Sequence, residues 1–131
     1  MNVAAEKYVR LTTFTKDGRP KHTPVWIAAA DNGGVATTTD DDSWKVKRIR
    51  NTKRVELVAS DGKGNVEEPA TPIVGQATII DHHDPEFEQI ESAFISKYGL
   101  MYKIFRLIRR IRGKTPCGIT IMLEPDQASS L

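Results

Sequence analysis

The chain is poor in features that would settle its class at once. It has a single cysteine, Cys117, in 131 residues. No internal disulfide can form, and a Cys/His metal centre lacks its soft ligands, so a reducing, cytoplasmic setting is expected. No apolar run approaches the roughly 20 residues that cross a bilayer. The opening Met1–Lys7 holds no apolar core of signal-peptide length. Aromatics make up 7% of the chain and the net charge is only +2, which gives no electrostatic ground for a nucleic-acid partner. No basic strand interleaved with aromatics occurs either. Internal repeats and low-complexity stretches are absent. So are the signatures of side-chain catalysis: there is no Gly-x-Ser-x-Gly, no His-Glu-x-x-His and no P-loop.

What is present fits one soluble globular domain over residues 1–131: the charged fraction is 27%, the hydrophobic fraction 39%, and the length suffices for a core of its own. β-Branched and aromatic residues predict a strand over Lys7–Phe14. Asp17-Gly18 supplies a hairpin turn, and Pro20–Ala30 reads as a second strand. Asp31-Asn32-Gly33-Gly34 turns the chain into a third, Val35–Thr39. Asp40-Asp41-Asp42-Ser43 then starts a short helix, with Trp44, Val46 and Ile49 assigned to one face and Lys45, Lys47, Arg48 and Arg50 as its cations. Arg54–Ser60 returns to strand. Pro69 and Pro72 predict an edge strand or bulge ahead of Ile73–Ile80. Asp84-Pro85-Glu86 is a strong helix start, followed by Phe87, Ile90, Phe94 and Tyr98 at helical spacing and Gly99 as a cap. Leu100–Arg112 is a further helix whose stripe of Leu100, Ile104, Leu107, Ile108 and Ile111 is expected to pack inward, leaving Lys103, Arg106, Arg109, Arg110 and Arg112 solvated. Cys117–Leu123 closes the chain as a strand, and the tail from Asp126 to Leu131 reads as frayed. Strands in close succession with segregated helices predict a β-barrel with helices on one side.

Few residues suit side-chain chemistry. His22, His82 and His83 form no triad with any serine. His82-His83 reads as a solvated loop pair rather than a metal site, since adjacent histidines lack ligand spacing. Cys117, in an apolar strand, reads as a buried structural thiol. A cofactor can carry the chemistry instead, and the place to hold one is the segment from Thr37-Thr38-Thr39 into Ser43-Trp44-Lys45-Val46-Lys47-Arg48. Hydroxyls, backbone N–H groups at a helix N-terminus and a lysine at close spacing suit a phosphate. The three aspartates between them repel an anion unless turned away. A plain strand, loop and basic surface helix is the competing reading.

The pattern Y-V-x-L-T-T-F-x-x-D-G-R-P over Tyr8–Pro20, followed by Thr-Pro-Val-Trp at Thr23–Trp26, resembles the opening hairpin of the pyridoxamine-phosphate-oxidase-like flavin and deazaflavin oxidoreductases. Thr39–Ser43 with Lys45–Asn51 is similar to that family's cofactor-phosphate segment, Arg54–Leu57 to its next strand, and Gly75–Ala77 to the one after. Lys97-Tyr98-Gly99 with the basic helix resembles the actinobacterial deazaflavin-dependent branch. The resemblance covers nearly the whole chain. It implies a mainly β split barrel (Greek-key, FMN-binding type) with helices packed on one side, forming a homodimer with cofactor sites at the subunit interface. By carry-over, Thr39, Ser43 and Lys45 contact the cofactor phosphate, with Thr37, Trp44, Val46 and Arg48 beside them. His22, Thr23, Pro24, Val25 and Trp26 line the ring, although most of Trp26 is expected to serve as core. Gly75 and Gln76 approach from the partner subunit. The implied cofactor is coenzyme F-420 (8-hydroxy-5-deazaflavin), whose anionic tail suits Lys45, Lys47, Arg48 and Arg50, with FMN the alternative. The implied activity is hydride transfer to an unidentified small organic substrate. Two other functions stay open: cofactor or tetrapyrrole binding without turnover, and docking on a membrane surface through the basic helix at Lys103–Arg112.

Overall fold

The computed structural model describes residues 3–67 and 70–124. Pro69 and the tail over 126–131 therefore lie outside the described residues. The elements are a single 3-10 turn (Val3–Ala5), β1 (Tyr8–Phe14), β2 (Pro20–Trp26), β3 (Ala28–Ala29), β4 (Val35–Asp40), α1 (Trp44–Asn51), β5 (Arg54–Ser60), β6 (Ile73–Asp81), α2 (Pro85–Tyr98), α3 (Leu100–Ile111) and β7 (Pro116–Leu123). The strands form one seven-stranded sheet of order β2-β1-β5-β6-β7-β4-β3, antiparallel throughout.

Where the sequence predicts one strand from Pro20 to Ala30, the chain bends at Ile27, and this bend governs the fold. β2 and β3 are separated by that one residue, yet they occupy opposite edges of the sheet. A flat sheet cannot satisfy both facts. The sheet must curl until its edges meet at Ile27, giving the split β-barrel expected from the resemblance. Pro20 and Pro24 suit this arrangement, because β2 pairs only with β1 and an edge strand tolerates a missing N–H.

Ile27 itself would be left with poorly matched backbone groups at this corner. The end of α2 supplies them. Tyr98 Oη accepts the Ile27 N–H at 3.0 Å and lies 2.9 Å from the Ile27 carbonyl and 2.7 Å from that of Lys7. Lys97 Nζ donates to the carbonyls of Ala4 at 2.7 Å and Ile27 at 2.6 Å, and also to Glu6. The Lys97-Tyr98 pair thus fastens the barrel seam.

Period-two alternation turns Val9, Leu11, Val55, Leu57, Ile119 and Ile121 into the barrel, where each is fully buried. Val46 and Ile49 of α1 join this core. Trp44 does not: it is 70% exposed, because two residues before Val46 is about 200° around a helix. β6 is a central strand between β5 and β7. The residues described just before it form no strand, so Pro72 lies in a loop rather than an edge strand.

The second core lies outside the barrel, where Phe87, Ile90 and Phe94 of α2 cover Ala28, Ala36 and Ile80. Asp84 caps α2 by accepting the Glu86 N–H at 2.9 Å. Gly99, at φ 61°, carries the reversal into α3, a conformation side chains resist.

α3 departs most from expectation. Its apolar stripe faces outward, and its buried residues are Tyr102 and Arg109. The physical reason is polar. The Tyr102 hydroxyl donates to Glu91 at 2.8 Å, and Arg109 Nε lies 3.0 Å from Asp40. These two contacts, seven residues apart on one side of the helix, set its rotation.

Candidate functional site

The end of β4 and the start of α1 bring together the hydroxyl and lysine residues singled out by the sequence. Ser43 is the N-cap of α1, its hydroxyl accepting the Val46 N–H at 3.4 Å, and Thr39 Oγ1 donates to Ser43 Oγ at 3.3 Å. Lys45 follows within the first turn, half-buried. Burial pushes its ammonium below the usual lysine range; Asp40 opposes the shift, and Arg48 and Arg109 add to it. Arg48 Nε donates to Thr13 Oγ1 of β1 at 2.7 Å, and its own pKa is lowered by burial.

The acidic run is less of an obstacle than its sequence suggests. Asp40 is held by Arg109 at 3.0 Å, and Asp42 by Lys114 Nζ at 3.0 Å. Asp40, Arg48 and Arg109 thus lie close enough to act on the charge of Lys45, and Arg109 meets Asp40 directly. Arg109 is only 4% exposed, and Nη1 and Nη2 of its guanidinium have no hydrogen-bond partner among the described residues. Its Nε meets Asp40 as an ion pair outside hydrogen-bond alignment. Buried donors normally find acceptors; this guanidinium instead stands 4.8 Å from the Phe105 ring, a cation–π contact. Arg109 escapes a reading of the sequence that treats every cation of α3 as solvated. The available signal is that Tyr102 and Arg109 sit two turns apart, opposite the stripe.

The other predicted residues fall at separate places. Thr37 and Val46 face the barrel core at 1% and 0% exposure and offer a ligand no surface; Val25 is also buried. Trp44 is outside, with Lys47 Nζ 4.4 Å from its ring. On β2, His22 Nδ1 is 2.7 Å from Thr12 Oγ1, one residue along β1 from the Thr13 that anchors Arg48. Thr23 and Pro24 follow, half-buried. Trp26 stacks on Tyr98 at 4.8 Å and meets Phe105 edge-on at 5.5 Å, so its ring serves mainly as packing. Gly75 and Gln76 lie opposite Leu123 and Met122, whereas Thr39 lies opposite Cys117, which in turn faces Asp81. The two groups are thus about 17 Å apart along the strands. Gly75 is explained by packing: a Cβ there would come 2.5 Å from Ile121 Cγ2 and 3.1 Å from the Met122 carbonyl.

Cys117 is buried in the barrel, and burial, aided by Asp41, pushes its thiol up to about 11, so it stays protonated and unreactive at neutral pH. Asp81, His82 and His83 bring their ligand atoms within 4.8 Å of one another. The Asp81 carboxylate already accepts the His83 N–H at 2.8 Å, and the two rings stand 3.8 Å apart.

The curled antiparallel sheet with its helices on one side defines this chain as a split β-barrel. The family model for pyridoxamine 5'-phosphate oxidase matches residues 2–119, and the chain belongs to that family. No curated protein matches the chain. Among solved structures it is similar to HutZ of Vibrio cholerae, described as a heme storage protein (10% identity, 92% of this chain and 84% of that one, TM-score 0.68). It is also similar to the conserved hypothetical protein Rv2991 of Mycobacterium tuberculosis (22% identity, 94% and 76%, TM-score 0.63). A FAD-binding protein of Mesorhizobium loti shares the fold as well (18% identity, 93% and 82%, TM-score 0.60). At these identities the likeness is one of fold.

Proposed function

We propose that this chain is an oxidoreductase that holds a tricyclic, phosphate-bearing redox cofactor, coenzyme F-420 or FMN, and passes a hydride between it and a small organic substrate. The observation that carries the reading is the grouping of Thr39, Ser43 and the half-buried Lys45 at the start of α1, with Arg48 and Arg109 close enough to act on the lysine charge. An anionic group fits such a cradle, because the half-buried Lys45 ammonium and the Ser43 hydroxyl can meet it where partial burial strengthens each charge–charge contact. Thr39, Ser43 and Lys45 would hold the phosphate, and Arg48 would fix the cradle against β1. His22, Thr23 and Pro24 would border the ring, with Trp26 holding that strand in place through Tyr98 and Phe105. The assembly we infer is a homodimer in the cytoplasm, with Gly75 of the partner subunit and Gln76 of the partner subunit completing the site. When bound, the ring supplies the hydride chemistry. The protein's task is to hold it near 3–3.5 Å from the reacting atom of the substrate, which needs no protein nucleophile.

The test is a fluorescence titration of the apoprotein with F-420 and with FMN, a parallel absorbance titration with heme, and then oxidation of the reduced cofactor with candidate acceptors. Saturable binding of either tricycle with turnover supports the proposal. Binding without turnover across a panel of acceptors favours a carrier, and heme binding with neither tricycle bound favours a tetrapyrrole-binding protein of the same fold.

A further inference from the structure

The outward stripe of α3 is the largest concentration of exposed apolar side chains among the described residues. Leu100, Met101, Ile104, Leu107, Ile108 and Ile111 are between 47% and 75% exposed. At about 100° per residue they fall within an arc of roughly 120°. Helix rotation cannot hide them, since Tyr102 and Arg109 on the opposite side are buried and held by Glu91 and Asp40. Exposing such a stripe to water is costly, and contiguous apolar patches on soluble proteins mark docking sites.

The charge around the stripe says what covers it. No acidic residue occurs between Gly99 and Lys114. Lys103 and Arg110 border the stripe on one side and Arg112 on the other, all exposed. Among the described residues no carboxylate pairs with any of the three. The covering surface must therefore be apolar and anionic together. A second α3 would set these cations against themselves, and like-charge juxtaposition disfavours that contact. The boundary between acidic lipid headgroups and acyl chains offers both properties. No described helix is long and apolar enough to cross a membrane, so the geometry is that of a helix lying flat, about 18 Å long.

We propose that α3 docks this protein on an anionic membrane surface, with the stripe at the headgroup–acyl boundary and Lys103, Arg110 and Arg112 against lipid phosphates. The proposal is independent of the cofactor reading, since none of these residues belongs to the cradle. It is tested by co-sedimentation of the full chain with phosphatidylcholine vesicles, with and without phosphatidylglycerol, across a salt series. Sedimentation velocity without lipid runs alongside. Wild-type protein is expected to pellet with the phosphatidylglycerol vesicles and to be released by salt as the screening length shrinks. Leu107→Glu with Ile111→Glu should reduce partitioning about tenfold or more, since each change puts a charge where an apolar contact was. Lys103→Gln with Arg110→Gln should reduce it by about fivefold per charge. All four positions are exposed, and an unchanged urea midpoint verifies that folding is intact. Absence of pelleting with acidic vesicles, or pelleting indifferent to lipid charge and salt, overturns the proposal. So does a wild-type dimer that the Leu107→Glu, Ile111→Glu pair makes monomeric while neither form binds vesicles; that result assigns the stripe to a second copy of the chain.

Discussion

Replacing Lys45 with methionine should drive ligand affinity and apoprotein stability in different directions. Methionine keeps most of the stem that α1 packs and removes only the ammonium. In the bound state that ammonium makes a charge-assisted hydrogen bond to phosphate, worth about 1.5–3 kcal/mol, so its loss weakens binding about 10- to 150-fold. In the apoprotein the same ammonium is penalised by burial and by Arg48 and Arg109, with Asp40 only partly offsetting them. A pKa below the unfolded value means that folding disfavours the charged form. The native state then binds fewer protons than the unfolded chain between the lowered pKa and the ordinary 10.5, so this group's contribution to stability rises with pH across that window. Lys45→Met removes the penalty at neutral pH and flattens that rise. The assays are fluorescence titrations with F-420 and FMN, and urea melts of the apoprotein at several pH values. An unchanged affinity together with a lowered urea midpoint would refute the assignment, showing Lys45 to be a structural residue rather than a phosphate ligand.

Three further outcomes test the framework around the site. Gly75→Ala should destabilise the protein by about 1–3 kcal/mol, the usual range for overpacking, because its Cβ would meet Ile121 Cγ2 at 2.5 Å; a wild-type urea midpoint would mean that β6 and β7 can part there freely. Tyr98→Phe should cost about 1–3 kcal/mol by leaving the Ile27 N–H without its acceptor, and hydrogen exchange at Ile27 should accelerate more than exchange in β5. Cys117 should resist thiol reagents in the native state and react at once in denaturant. Because the folded thiol holds its proton to about 11 and the unfolded one only to 9.0, its stabilising effect is complete below pH 9 and declines as pH rises toward 11. The Cys117→Ser variant should show a shallower alkaline decline in the urea midpoint.

Local chemistry made much of this fold legible. Asp17-Gly18 and the Asp31–Gly34 turn bound the strands as observed, Arg54–Ser60 is β5 to the residue, and Asp84-Pro85 begins α2. Each of these depends on neighbours in sequence. The misreadings share a different cause. The bend at Ile27 is invisible in an apolar run from Val25 to Ala30, because its reason lies in Lys97 and Tyr98, some seventy residues away. The outward stripe of α3 runs against the ordinary rule that apolar faces turn inward, and only the half-buried partners Glu91 and Asp40 reveal why. The cradle was half legible. Thr39, Ser43 and Lys45 are close in sequence and close in space, whereas Arg109 arrives from another element. Thr37 and Val46 were drawn in by their neighbours although strand and helix periodicity turns both into the core.

The position of β7 carries a consequence for synthesis. It lies between β6 and β4, yet it follows every other strand among the described residues. While the ribosome is still delivering residues 1–115, β4 and β6 both have an unpaired backbone row where β7 will insert. Open edges of that kind template pairing with other nascent or partly folded chains. Premature termination before Pro116 should therefore yield an aggregation-prone fragment rather than a weakened barrel.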